Sequence, residues 1–205
     1  MDRNVGYQTI IFDLGNVLVS FSHEKMFSQV ATLTGLSAEQ VQDLLIDRRI
    51  GHQYERGLLT SEEIYSIIQE KSPKTFQLFD LLHAASSIFT PRIEMETLTQ
   101  TLKQKGYQLL LLSNTIKPHF SYIQSNYPFL SHFDHIILSY EVGSIKPEKA
   151  IFEHALKKAA TRPSNCFFID DLLENVHAAE RLGIHSHHFT SPAHLMEDLI
   201  QLGIL

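Results

Sequence analysis

Four short stretches of this chain carry side chains able to work on a phosphate group. Asp13 follows the apolar run Thr9 to Phe12. Ser113-Asn114-Thr115 follows Leu109 to Leu112, Lys146 stands beyond His135 to Leu138, and Asp170-Asp171 closes Cys166 to Ile169. An aspartate carboxylate can attack phosphorus to give an aspartyl-phosphate that water then hydrolyses. A carboxylate repels a phosphate dianion, so a hard cation has to sit between them. Mg²⁺ takes oxygen ligands and keeps several waters, so Asp13, Asp171 and one backbone carbonyl make a fitting minimal set. The neighbouring acids Asp170 and Asp171, at the end of a buried run, repel each other unless a cation is near. Ser113 and the amides of Asn114 and Thr115 open a helix with Pro118 near its start, a ready anion site. Lys146 supplies a point charge that offsets the remaining phosphate charge and holds the Asp13 carboxylate.

The elements that must position these residues are legible in the same runs. All four are short and branched-apolar, as buried parallel strands are, and His185 to Phe189 makes a weaker fifth. Helical patterns lie between the later runs: Pro147 to Ala159 starts with a proline, and Leu173 to Leu182 stops at Gly183. This alternation predicts an α/β fold, an open parallel Rossmann-like sheet with helices on both faces. Ligands of such sheets bind beyond the carboxyl ends of the strands, where all four chemical stretches fall.

The interval between the first two strands is about a hundred residues, whereas one crossover needs only about a dozen. The insertion reads as helical: Glu24 to Thr34, Ser37 to Arg48, Glu62 to Lys71 and Phe76 to Ser87, with capping boxes at Ser37-Ala38-Glu39-Gln40 and Thr60-Ser61-Glu62-Glu63. The expected organisation is an α/β core of residues 1–19 and 91–205 with a small α-helical cap of residues 20–90.

Composition narrows the function. The 205 residues carry 17 Lys and Arg against 23 Asp and Glu, a formal net charge of −6, the wrong sign for a general nucleic-acid or anionic-membrane binder. The single cysteine, Cys166, excludes an intramolecular disulfide and any paired-cysteine metal or redox motif, and its place in a strand suits an inert core thiol. No apolar run approaches the ~18 residues of a membrane span, so a cytoplasmic protein acting on a small phosphorylated partner is expected.

The strings Ile11-Phe12-Asp13-Leu14-Gly15-Asn16-Val17-Leu18, Leu112-Ser113-Asn114-Thr115, Ile145-Lys146-Pro147-Glu148 and Phe168-Ile169-Asp170-Asp171-Leu172-Leu173-Glu174-Asn175 resemble, in order and spacing, the four motifs of the haloacid dehalogenase-like (HAD) superfamily. The inserted helices sit where its type 1 cap sits. The first motif, the segment His52-Gln53-Tyr54-Glu55-Arg56-Gly57 and the spacing from Asp171 to Asn175 resemble the bacterial sugar-phosphatase branch that includes α-D-glucose-1-phosphate phosphatase. The resemblance implies a Mg²⁺-dependent phosphatase acting on a small phosphorylated metabolite, with a sugar phosphate the expected kind. It makes Asp13 the nucleophile and a metal ligand, Ser113 and Asn114 phosphoryl binders, Lys146 the anchor, and Asp171 a Mg²⁺ ligand with Asp170 beside it.

One position departs from that pattern. Most phosphatases of the superfamily carry a second Asp two residues after the nucleophile as general acid and base, and here Gly15 stands there. Its carbonyl can still ligate the metal, but it cannot transfer a proton, a contribution commonly worth about 10²–10⁴-fold. A residue from the cap, with His23 and His52 as candidates, or a water on the metal is expected to take the role. Arg48, Arg49, Tyr54, Glu55 and Arg56 lie where such caps read the leaving group. Asn175, one helical turn beyond Asp171, can orient Lys146 or the ligand. His185, His187 and His188 read as structural, since strand alternation sends the last two to opposite faces. Two alternatives stay open: a metal-free haloacid dehalogenase, and a catalytically weak phosphate-binding or phosphotransfer module that lacks the acid.

Overall fold

The computed structural model describes residues 6–46 and 48–205, without the side chains of residues 46, 48 and 49. The elements begin with β1 (Thr9–Phe12), β2 (Val19–Phe21), α1 (His23–Thr34), α2 (Ala38–Ile46), α3 (Arg48–Glu55), α4 (Ser61–Lys71), α5 (Leu78–Ser86), β3 (Phe89–Pro91) and α6 (Ile93–Gln104). There follow β4 (Gln108–Ser113), α7 (Lys117–Asn126), β5 (His135–Leu138), α8 (Ser139–Val142), α9 (Lys149–Ala159), β6 (Cys166–Asp170), α10 (Leu173–Glu180), β7 (His185–His188) and α11 (Pro192–Gln201).

Five strands form one parallel sheet in the order β5-β4-β1-β6-β7. Chain order reverses at β1, which pairs with β4 on one side and β6 on the other, and this creates the crevice where open α/β sheets take their ligands. Strand residues alternate between two apolar layers. Ile10, Phe12, Leu109, Leu111, Phe167 and Ile169 pack with α6, α7 and α11, whereas Ile11, Leu110, Leu112 and Phe168 pack with α9 and α10. Burial on both faces explains why these strands read as continuous apolar runs. The α/β sheet expected from the sequence is thus the observed one.

The chain leaves β1 through a two-stranded antiparallel ribbon in which β2 pairs with β3, Val19 opposite Pro91 and Phe21 opposite Phe89. Between these strands α1 to α5 assemble around a separate apolar cluster that includes Met26, Val30, Ile64, Ile68 and Leu81. Both expected capping boxes form: Ser37 Oγ accepts from the Gln40 amide at 3.1 Å while Gln40 Oε1 accepts from Ser37 N–H, and Thr60 and Glu63 make the same reciprocal pair. The stretch expected as a helix to Arg48 is helical over Ala38–Ile46, Asp47 lies outside the described residues, and α3 carries helix over Arg48–Glu55, beyond the expected end. The apolar residues of α3, Ile50 and Tyr54, lie one turn apart and pack against that apolar cluster, a short signal among two arginines, a glycine, His52 and Gln53. The segments β2, β3 and α8 are too short to announce themselves, whereas α6, which buries Met95, Leu98, Thr99 and Leu102, and α11, which buries Leu195 and Leu199, carry helical spacing that the expectation above did not use.

Candidate active site

The carboxyl ends of β1, β4 and β6 and the loop after α8 converge on one buried polar cluster. Asp13 continues β1, and its amide donates to the Ile169 carbonyl at 2.9 Å, which sets it beside Asp170 at the end of β6. Lys146 Nζ lies between them, 2.5 Å from Asp13 Oδ1 and 2.6 Å from Asp170 Oδ2. All three are almost wholly buried, Asp170 at 0% exposure. A buried ion pair persists only with good geometry and further hydrogen bonds, and Asp170 has them. Its carboxylate also accepts from the Leu172 amide at 2.8 Å and from Asn175 Nδ2 at 3.0 and 3.1 Å. Asn175 therefore acts on Lys146 through Asp170.

Oxygen atoms of Asp13, Asp170 and Asp171 lie within 4.8 Å of one another. Three carboxylates against one ammonium leave excess negative charge in a poorly solvated place. Burial, reinforced by Asp170, pushes the Asp13 carboxyl up to about 7, and Lys146 and the Leu14 amide only partly pull it back. An all-oxygen anionic donor set of this kind fits Mg²⁺. The two acids of the pair differ. Asp170 has its oxygens taken by Lys146, Asn175 and a backbone amide, whereas Asp171 is half-buried and accepts only from Asn16 Nδ2, at 3.0 Å, among the described residues. Asn16, which sequence reasoning passed over, holds a positive φ of 56°, a conformation asparagine tolerates better than most residues.

Ser113 ends β4 and is buried, with only a long 3.4 Å contact from its Oγ to the Asn114 carbonyl. Asn114 is engaged differently from expectation. Its side chain bridges the backbone of Lys146, donating to the carbonyl at 2.9 Å and accepting from the amide at 2.7 Å, so it anchors the lysine loop. The Thr115 amide, expected to face an anion, donates to Ser139 Oγ at 3.0 Å, and that hydroxyl donates back to the Thr115 carbonyl. Helix α7 starts two residues later, at Lys117. Gly15 borders the cluster, and a Cβ placed on it would lie 3.0 Å from Phe21 Cε1. The ring of Phe21 occupies the space into which a side chain at position 15 would point.

The helical insertion meets this cluster through α3 and the turn after it. Arg56 forms a forked ion pair with Glu148, just beyond Lys146, with Nη1 3.0 Å from Oε2 and Nη2 on Oε1. Glu148 also accepts from the Ser144 hydroxyl and the Ile145 amide, and with Arg56 these hold its carboxyl at about 2. Gly57, at φ +68°, packs so closely that a Cβ would lie 2.3 Å from the Tyr140 carbonyl oxygen. Above the cluster is a cavity of about 240 Å³ bordered by Gly15, Ser113 and Asn114 on one side and by α1, α4 and α5 on the other. Glu55 and His23 line it, whereas His52 is exposed and does not. Burial raises the Glu55 carboxyl above its ordinary range and lowers His23. The side chains of Arg48 and Arg49 lie outside the described residues. The histidines of β7 have structural partners: His185 bonds Tyr7, the buried His187 bonds Asp198, and His188 bonds the Asp171 carbonyl. Cys166 is buried, its thiol pushed up to about 11.

A parallel sheet of this order with an acidic, lysine-locked cluster at its switch point, and a helical insertion above, defines a hydrolase of the α/β class. The chain belongs to the haloacid dehalogenase-like hydrolases, whose family pattern matches residues 7–183. It is 27% identical to the sesquiterpene phosphatase astK of Aspergillus oryzae over 96% of each chain. It is 26% identical to the D-ribitol-5-phosphate phosphatase of Bacteroides thetaiotaomicron, covering 86% of this chain and 88% of that one. It also matches 33% of the length of the drimenol cyclase drtB of Aspergillus calidoustus, at 30% identity over 87% of this chain. Among solved structures, a HAD family enzyme of Bacteroides thetaiotaomicron in complex with magnesium and inorganic phosphate superposes with a TM-score of 0.81, at 27% identity over 93% of this chain and 99% of that one.

Proposed function

We propose that this protein is a Mg²⁺-dependent phosphatase that hydrolyses a small phosphorylated metabolite through an aspartyl-phosphate on Asp13. The observation that carries the reading is the Asp13, Asp170 and Asp171 cluster locked around Lys146 at the sheet's switch point. The names of the relatives and the magnesium and phosphate bound by the structural neighbour support it. Asp13, Asp171 and the Gly15 carbonyl would hold Mg²⁺, with Asp170 close by but committed to Lys146. When bound, Mg²⁺ offsets the charge of the carboxylates and of the phosphate, allowing the two to approach.

The residues of the chain divide the remaining work. Asp13 attacks phosphorus, forming an O–P bond as the bond to the leaving oxygen breaks. Lys146 keeps that carboxylate aligned and faces the transferred group, and Asp170 and Asn175 fix Lys146. Ser113 offers its hydroxyl to a phosphate oxygen, while Asn114 contributes its backbone and steadies the lysine loop. The leaving oxygen takes its proton from the cap, for which Glu55 is the carboxylate lining the cavity. Water then cleaves the aspartyl-phosphate, releasing phosphate and regenerating Asp13. In this reading residues 20–90 act as a cap over a core of 1–19 and 91–205, and the protein works in the cytoplasm. No helix among the described residues is long and apolar enough to cross a membrane.

Phosphate release from a panel of phosphomonoesters with Mg²⁺, with and without EDTA, tests the proposal. Metal-dependent turnover is expected. Dehalogenation that survives full chelation would favour the dehalogenase alternative, against which the three clustered carboxylates argue. A single equivalent of product from an aryl phosphate, followed by no turnover, would favour the phosphotransfer module.

A further inference from the structure

We infer that the organic part of the substrate is apolar, an alkyl, isoprenoid or aryl group rather than a polyol. The inference rests on the phosphatase reading and adds the chemical class that the site accepts. The cavity beside Gly15 and Ser113 runs up into the helical insertion, where Phe21, Met26, Val30, Ile64, Ile68 and Leu81 are among the apolar side chains of its wall. Its volume is about 240 Å³.

The polar side chains that line it are fewer than the apolar ones: Glu55 and His23, Tyr54, His119 and the three residues at the phosphate end. Ser113, Asn114 and Thr115 stand at the phosphate end, Asn114 bonded to the Lys146 backbone and the Thr115 amide to Ser139. Tyr54 is bonded to Ser61. His119 stands edge-on to Phe89 and is held uncharged by burial, at about 4, with Nε2 enclosed and unpartnered. A sugar has a hydroxyl on nearly every carbon, and each would need a partner, whereas Glu55, His23 and His119 Nε2 are the polar groups the wall offers away from the phosphate end. An apolar group needs only the displacement of water. The Phe21 ring extends the same apolar wall to Gly15, where an acid would otherwise stand.

The test is a ladder of n-alkyl phosphates from ethyl to octyl, assayed with the Mg²⁺-loaded protein beside glucose 1-phosphate, ribitol 5-phosphate and acetyl phosphate. Each buried methylene should raise kcat/KM by about fourfold until the cavity is full, and hexyl phosphate should exceed both polyol phosphates. A flat ladder, or a polyol phosphate above hexyl, would overturn the inference and mark the cavity as mere unfilled space among the helices. If acetyl phosphate is not turned over, the phosphatase reading fails. The ladder is then read by calorimetry with ethyl- to octylphosphonate and Mg²⁺, where affinity rising with chain length sustains the inference and equal affinity sinks it. Ala85→Leu, or Leu45→Phe if the first does not fold, narrows the cavity and should lower the octyl-to-ethyl ratio at least tenfold. An unchanged ratio in a folded variant would count against the cavity as the binding place.

Discussion

The two halves of the site are built by opposite physics. Below, Asp13, Asp170, Lys146 and Asn175 are buried and joined by hydrogen bonds, with the half-buried Asp171 beside them. Above, the helical insertion presents an apolar wall with few directional contacts. Charged groups removed from water must be paired with good geometry, so the lower half tolerates almost no change. Apolar surfaces interact in proportion to area and exchange side chains readily if volume is kept. On the proposed reading, a chain built this way could keep its reaction while its substrate changes, with chemistry and selectivity in different layers that meet at Gly57 and Arg56.

The contrast can be broken hardest from below. Asp13→Asn removes the proposed nucleophile and should reduce turnover by at least about 10⁴-fold, on the scale seen when a catalytic nucleophile is deleted, with no aspartyl-phosphate trapped on rapid quench. Lys146→Met leaves Asp13 and Asp170 buried without their cation. Denaturant unfolding without metal should show a loss of about 3–5 kcal/mol, part of it restored by Mg²⁺.

Changes to the upper half should be smaller and substrate-dependent. Glu55→Gln should cost about 10²-fold on alkyl phosphates, which need a proton on the leaving oxygen, and far less on acetyl phosphate, whose leaving group needs none. Equal losses on both would remove Glu55 from proton transfer. Gly57→Ala must place a methyl against the Tyr140 carbonyl in a backbone conformation that alanine resists. The insertion then sits displaced, and kcat/KM should fall by up to about 10²-fold while the unfolding of the sheet core hardly changes.

The smallest effect concerns the Arg56 and Glu148 pair. Glu148 falls from an ordinary 4.5 to about 2 in the folded protein. Its contribution is therefore complete above pH 4.5 and is lost as the pH drops toward 2. Both side chains are partly exposed, so the pair is worth at most about 1 kcal/mol. Melting curves of the wild type and Arg56→Gln should differ slightly at pH 6 and converge near pH 2.

The lower half was readable in advance because it is written at strand ends. Asp13, Ser113, Lys146, Asp170 and Asp171 each follow an apolar run or its connecting loop, so finding the strands located the chemistry. The upper half was less readable. Helix α3 offers only Ile50 and Tyr54 as an apolar pair, and nothing in the order of residues announces that Phe21 fills the space beside Gly15. Nor could spacing reveal that the Asn114 side chain and the Thr115 amide are engaged within the protein.

By itself the sequence determined the parallel sheet, the helical insertion and the acidic, lysine-bearing set at its switch point, since strand burial and short-range capping are local, periodic signals. Only the tertiary structure decided which acid of the pair is committed to Lys146, which cap residues reach the cavity, and that the cavity's wall is apolar. Those facts depend on side chains far apart in the chain meeting in space, and periodicity carries no record of such meetings.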